Sequence, residues 1–303
     1  LFLKVEKRKE MQEKFSSTIL VTGANGQLAN ELKALATDHP SYLFLFTSKE
    51  ELPIESSEAL ELFFNSNNID YCINCGAYTA VDKAESEEEK AFLINAEAVG
   101  ALANICRVHD TKFIHISTDY VYDGSKEQPL NEEDAVGPVN IYGASKLKGE
   151  QLAMENNSSS LIIRTSWVYS SFGNNFVKTM LRLFKEKEEI NVIADQHGSP
   201  TYAADLASTI LLFIAQMEAG KTFSGIVNYC NSGVTTWYEF AKAIKQATGS
   251  NCKINPIPTS SYKTAAKRPL YSVLDTSKIK SLLELEIPPW DNALQRCLHI
   301  LEN

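Results

Sequence analysis

Two short stretches carry side chains suited to placing a proton on a carbonyl oxygen. Ser117-Thr118-Asp119-Tyr120 ends the apolar run Lys112-Phe113-Ile114-His115-Ile116, and Ile141-Tyr142-Gly143-Ala144-Ser145-Lys146 opens a segment of helical spacing that runs to about Glu155. The apolar run reads as a short buried strand. Residues four apart on a helix share a face, so Tyr142 and Lys146 point into the same space. A strand-end hydroxyl beside such a helix can protonate a carbonyl oxygen while a hydride arrives at its carbon.

Control of the phenol's pKa is the reason to pair these residues. A free tyrosine titrates at about 10, too high for easy proton exchange near neutral pH. A lysine cation about 5 Å away, in an effective dielectric of about 20, favours the phenolate by about 3 kcal/mol, or about two pKa units. Thr118 adds a hydrogen bond to the reacting oxygen. Tyr-x-x-x-Lys by itself also describes a solvated pair on a surface helix, so its weight depends on what the rest of the chain builds around it.

Upstream, Thr18-Ile19-Leu20-Val21 is a β-branched strand that runs straight into Thr22-Gly23-Ala24-Asn25-Gly26-Gln27-Leu28-Ala29 and a helical pattern through Ala36. Strand, glycine turn and helix start make a pyrophosphate cradle: Gly23 permits the turn, Gly26 lets the backbone approach phosphate, and the helix presents free N–H groups. Gly23 and Gly26, with Asn25 between them in the turn, are therefore candidate cofactor residues. The next strand, Tyr42–Phe46, ends in Thr47-Ser48-Lys49, where a dinucleotide site meets the adenosine ribose. A lysine in place of an acidic residue leans towards the 2′-phosphate of NADPH, with NADH also admitted.

Six scattered cysteines suit a reducing cytoplasm. Cys72 and Cys75 lie three apart in the strand 69–75, so they face opposite sides and cannot share a metal. The net charge of −9 argues against a nucleic-acid partner. No apolar run reaches membrane-spanning length and no signal-peptide pattern is seen, so no membrane partner is expected. Residues 1–17 are charge-rich, with Met11 as an internal start, and read as a disordered or appended leader.

The chain alternates strand and helix: helix 57–66, strand 69–75, a loop 76–83, a helix from about Ser86, strand 111–118, the Tyr142 helix and strand 160–164. This predicts an α/β fold, a doubly wound parallel sheet of the Rossmann type, with ligands at the carboxyl edge of its strands. The loop 76–83 lies at that edge. Later elements are looser: helix 175–187, strand 190–193, helix 203–217, strand 225–229, helix 237–248, a Pro-containing segment 254–270 and a terminal helix near 291–301. The expected division is a dinucleotide-binding domain of 18–168 with 199–230, and a smaller, partly helical lobe of 169–198 with 231–303.

With these features in one chain, the sequence resembles the extended short-chain dehydrogenase/reductases. The runs CGAYTAVDKAES (75–86), STDYVY (117–122), RTSWVY (164–169), GNNFVKTM (173–180) and PTS (258–260) look like those of the dTDP-4-dehydrorhamnose reductase family. The resemblance implies NAD(P)H-dependent reduction of the C4 ketone of dTDP-4-dehydro-L-rhamnose in the cytoplasm. Another nucleotide-sugar reductase or epimerase, or a non-catalytic NADP-binding subunit, are the alternatives of the same fold. It implies that Gly26, Gln27 and Leu28 sit beneath the cofactor pyrophosphate and that Ala77, Tyr78 and Thr79 line the cofactor and sugar cleft. It also implies that Tyr142 is the general acid and that Lys146 holds the nicotinamide ribose and tunes Tyr142. It further implies that Thr118 and Asp119 contact the ketosugar, that Trp167 and Asn175 belong to the sugar site, and that Arg268 pairs with the diphosphate. A homodimer is admitted. Ala29 stands where the family has a third glycine and Pro53 where it often has an acidic residue. Glu31 matches one position of an intersubunit magnesium site, but the set is incomplete, so no metal is expected.

Overall fold

The computed structural model describes residues 15–302, and the proposed leader falls outside these up to residue 14. Ser17, assigned above to that leader, is already the first residue of a buried strand. Six parallel strands form the main sheet: β1 (Ser17–Thr22), β2 (Tyr42–Thr47), β3 (Tyr71–Asn74), β4 (Lys112–Thr118), β5 (Leu161–Thr165) and β6 (Gly225–Asn228), in the spatial order β6-β5-β4-β3-β1-β2. The apolar runs of β1, β3, β4 and β5 are buried on both faces, as a parallel sheet between helical layers requires, while the edge strand β2 is only half-buried. The order reverses between β1 and β3, which opens a crevice at their carboxyl ends.

Helices cover both faces. On one side, α1 (Gln27–Leu35) buries Leu28, Ala29 and Leu32 beside helix Ala203–Glu218. On the other side lie α2 (Ser57–Ser66), α3 (Glu88–Val108) and α4 (Ile141–Asn156), with Leu60, Phe64, Val99, Leu102 and Ala153 in the core. Cys72 packs into this second core and Cys75 against the first, so the two sulfurs do face opposite sides of the sheet. Contrary to the sequence reading, one helix, α3, is long and apolar enough to cross a membrane by length and composition. Its Val99, Leu102, Ala103 and Cys106 face the sheet core.

A third apolar cluster lies beyond the sheet. It joins Tyr169, Val177, Met180, Tyr202, Phe240, Ile244, Leu294 and Leu298 from helices Phe176–Glu186, Trp237–Thr248 and Trp290–Glu302 and the turns between them. A two-stranded parallel ribbon, Glu189–Ile193 with Lys253–Ile257, flanks it. Helix Ser277–Leu283, not foreseen from sequence, returns to the main sheet, with Ile279 and Leu283 in the first core.

Candidate active site

At the switch point the backbone itself makes the seat. Gly23 has φ +67, and a Cβ there would lie 2.7 Å from the Gly76 nitrogen, so the ends of β1 and β3 are pressed together with no room for a side chain. Gly26 is the N-cap of α1 with no side-chain cap, leaving that helix start to a ligand. The donor-rich turn and the missing Cβ fit a dinucleotide pyrophosphate. Asn25 and Gly26 are exposed, whereas the Leu28 side chain lies in the core, so only its backbone can face the seat. Gln27 Oε1 accepts from Asn175 Nδ2 at 2.9 Å, which ties the turn to the second lobe.

Thr47 is buried at the end of β2, Ser48 N–H is capped by Glu51 at 2.8 Å, and Lys49 is exposed beside them. Ala77 is half-buried and Thr79 exposed. The Tyr78 ring packs with Ala84 and Ala91 beside Tyr142. Asn95 grips the Tyr78 backbone from both sides, accepting from its N–H at 2.8 Å and donating to its carbonyl at 3.0 Å. It can do so because α3 widens to a π-helical turn at Leu93–Glu97. Asn95 also donates to Ser145 Oγ on α4 at 3.0 Å, and Gly149 sits so close that a Cβ would be 2.0 Å from the Asn95 carbonyl.

Helix α4 starts on Asn140, whose Oδ1 accepts from Gly143 N–H at 2.7 Å. Tyr142, Lys146 and Glu150 follow at intervals of four along one stripe. Tyr142 is half-buried, with the Tyr120 ring edge-on at 5.6 Å. Burial pushes its phenol up to about 12; the Thr118 hydroxyl draws it back and the Asp119 carboxylate adds to the rise. The expectation that Lys146 lowers this pKa is corrected here. Lys146 is 2% exposed, and its Nζ turns inward to Ile116 O at 2.6 Å and His115 Nε2 at 3.2 Å. Burial lowers Lys146 to about 8, with Glu150 and Cys75 opposing the fall.

Thr118 Oγ1 donates to Asp119 Oδ1 at 3.0 Å and accepts from Tyr120 N–H at 3.2 Å. Burial raises Asp119 to about 6, against hydrogen bonds from Ser272 and Thr118. One turn below Lys146, Arg164 grips Glu150 with two bonds of 2.9 and 2.6 Å and donates to Tyr122 Oη at 2.7 Å, while Ser117 Oγ donates to Glu150 at 2.5 Å. His115, Asn74, Asn95, Glu150 and Arg164 were not singled out from sequence. The signal for them is a polar residue interrupting an apolar strand, or continuing a helical stripe inward.

The remaining candidates have other partners here. Trp167 takes φ +49, a left-handed conformation unfavourable for a bulky residue, and stacks on Trp237 at 3.6 Å between ring centres. Asn175 caps helix Phe176–Glu186 through Lys178 N–H at 3.1 Å. Arg268 makes a bidentate pair with Asp82, at 3.2 and 2.8 Å. Glu31 is buried and accepts from Ser170 Oγ at 2.6 Å, while the nearby Asp205 is held by Arg296 at 2.7 and 2.6 Å. Among the described residues no group of three metal-ligating side chains forms.

A doubly wound sheet with a glycine seat at its switch point, and a tyrosine–lysine helix beside it, defines the extended short-chain dehydrogenase/reductase class. Within that class, the profile described as RmlD substrate binding domain matches residues 17–303, and the chain belongs to that family. The Escherichia coli dTDP-4-dehydrorhamnose reductase is 40% identical over 291 residues, covering 93% of this chain and 97% of that protein. A solved Clostridium acetobutylicum dTDP-4-dehydrorhamnose reductase superposes with TM-score 0.89 at 36% identity, covering 94% of this chain and 100% of that one. The Bacillus anthracis dTDP-4-dehydrorhamnose reductase, solved in complex with NADP, gives 0.87 at 36% identity over 94% of this chain and 99% of that one.

Proposed function

We propose that this protein is an NADPH-dependent reductase that converts dTDP-4-dehydro-L-rhamnose to dTDP-L-rhamnose, the last step of dTDP-rhamnose synthesis. The observation that carries the reading is the meeting of Thr118 and Tyr142 beside the Gly23–Gly76 seat, with Lys146 one turn on along the same helix stripe. The reduced dinucleotide, when bound, supplies the hydride for the C4 carbon. Gly23, Gly26 and the start of α1 hold its pyrophosphate, and Lys49 favours the 2′-phosphate. The chain's own chemistry is at the oxygen. Tyr142, kept protonated by burial, donates its proton to the developing alkoxide, and Thr118 orients that oxygen. Asp119 accepts from sugar hydroxyls, Trp167 on its Trp237 backing provides an apolar wall for the sugar, and Arg268 exchanges Asp82 for the diphosphate. The sheet lobe thus serves the dinucleotide and the second lobe the nucleotide sugar, in an enzyme whose scattered thiols suit the cytoplasm.

The test is loss of NADPH absorbance with dTDP-4-dehydro-L-rhamnose, repeated with NADH. Net oxidation is expected, with NADPH preferred; no net oxidation by this or related 4-ketosugars, despite tight cofactor binding, overturns the reading. Tyr142→Phe is expected to lower kcat by about 10²–10⁴ while cofactor affinity stays within a few-fold. A Phe variant with full turnover removes Tyr142 from the acid role.

A further inference from the structure

Under the seat, a chain of buried polar groups crosses three strands from Lys146 to the glycine loop. Thr22 Oγ1 on β1 donates to Asn74 Oδ1 on β3 at 2.7 Å, and Gly76 N–H donates to the same oxygen at 3.2 Å. A backbone N–H can only donate, so the Asn74 amide is oriented with its oxygen towards Gly76 and its nitrogen towards β4. That nitrogen lies 3.1 Å from His115 Nδ1, which must therefore accept. A neutral imidazole with an accepting Nδ1 carries its proton on Nε2. His115 is wholly buried, which strongly disfavours the doubly protonated ring.

Nε2–H of His115 then faces Lys146 Nζ at 3.2 Å. An ammonium has three donors and no acceptor, so two donors would oppose each other; an uncharged amine has one lone pair and accepts. No opposite charge pairs directly with Lys146, and the field of Glu150 offsets only part of the effect of burial. Glu150, one turn on, is gripped by Arg164, the Cys75 thiol at the end of β3 is kept protonated by burial, and Tyr142 is a neutral phenol. Among the described residues no carboxylate stands within ion-pair distance of Lys146.

We infer that His115 is a positioning residue for Lys146: with Asn74 behind it, it seats the lysine as the uncharged amine and releases it when it takes up a proton. The bond that forms on seating is Nε2–H to Nζ, and the proton given up by Nζ goes to solvent or to a bound ligand's oxygen. Ile116 O accepts from Nζ in either state, so it serves as the pivot. Protonated, Lys146 is repelled by His115 and is free to turn towards Tyr142 and the ribose hydroxyls; that last step rests on the reductase reading above.

The test uses no turnover, so it stands or falls apart from that reading. The full chain is labelled with [15N]histidine and [13Cε]lysine and titrated by NMR. The signal of Lys146, assigned by its loss in Lys146→Arg, is expected to titrate about two units below the ordinary lysines. His115 is expected to stay neutral well below the ordinary histidine range, with its proton on Nε2. In His115→Gln, whose amide oxygen can accept from an ammonium, the Lys146 midpoint is expected to rise by about one unit or more. An Nδ1–H tautomer, a Lys146 that titrates with the others, or an unmoved midpoint in His115→Gln overturns the inference. Should His115→Gln not fold, the tautomer and the wild-type titration decide it. A residue that only filled space would move neither.

Discussion

Two buried polar clusters hang from α4 one turn apart, and they solve burial in opposite ways. At Glu150 every lone pair that faces the interior meets a donor: two from Arg164 and one from Ser117. Burial alone would pull Arg164 down, but its bonds and charge contact with Glu150 hold it well above its ordinary value. At Lys146 the neighbours are a histidine, a carbonyl and a thiol, and no opposite charge is paired with it. In the first cluster Arg164 stays charged at any ordinary pH. The second sits close to its titration point. A helix that carries both is fixed where it must not move and adjustable where a proton has to be handled.

The largest way to break the contrast is at the locked cluster. Arg164→Leu leaves Glu150 buried and uncompensated, and chemical denaturation is expected to show a loss of about 3–5 kcal/mol. Lys146→Met should do the reverse. A lysine whose pKa falls from its ordinary value to about 8 on folding costs stability below that pH, and the cost fades as pH rises towards about 10.5. The Met variant is therefore expected to lose activity yet gain on the order of 1–3 kcal/mol near pH 7, with the gain vanishing in strong alkali. A destabilised Lys146→Met protein at pH 7 would mean that the lysine is paired after all. The smallest effect concerns Asp119. Its pKa is raised, so its carboxylate forms only above about 6, and sugar contacts that need the charge are lost as pH falls through that value. The native state also takes up this proton before the unfolded chain does, so the group adds stability as pH drops from about 6 to about 4. Asp119→Asn is expected to abolish the acidic limb of kcat/KM near pH 6; a limb that persists belongs to another group.

Much of this arrangement was legible beforehand, for local reasons. Strand, glycine turn and helix lie within twenty residues of one another, and helical spacing with short apolar or β-branched runs gave α2, α4 and the six sheet strands to within a few residues. What escaped depends on partners distant in the chain. Lys253–Ile257 contains Pro256 and was read as irregular, yet it is an edge strand paired with Glu189–Ile193, where a missing N–H is tolerated. The direction of Lys146 escaped too, because helical spacing says which residues share a face and not which neighbour a flexible four-carbon chain finds. His115 and Asn74 lay inside strands whose apolar neighbours made them look incidental. The resemblance gave Arg268 a diphosphate partner, and the Asp82 carboxylate it pairs with, 186 residues away, was not foreseen.

The widened turn of α3 has one more implication. By bonding the Tyr78 backbone and Ser145 together, Asn95 joins the loop after β3 and the start of α4 into a single corner. Facing it is the strap around 264–272, tied by the part-exposed Arg268–Asp82 pair, by the Ala266 N–H bond to Asp82 at 3.1 Å, by the Asn140 bond to the Lys267 carbonyl at 2.7 Å and by backbone bonds of Leu270 and Ser272 to His197. The ion pair among these is worth no more than about 1 kcal/mol in water. Amide exchange should find that strap opening long before Tyr78 or Ser145 gives up its proton to solvent.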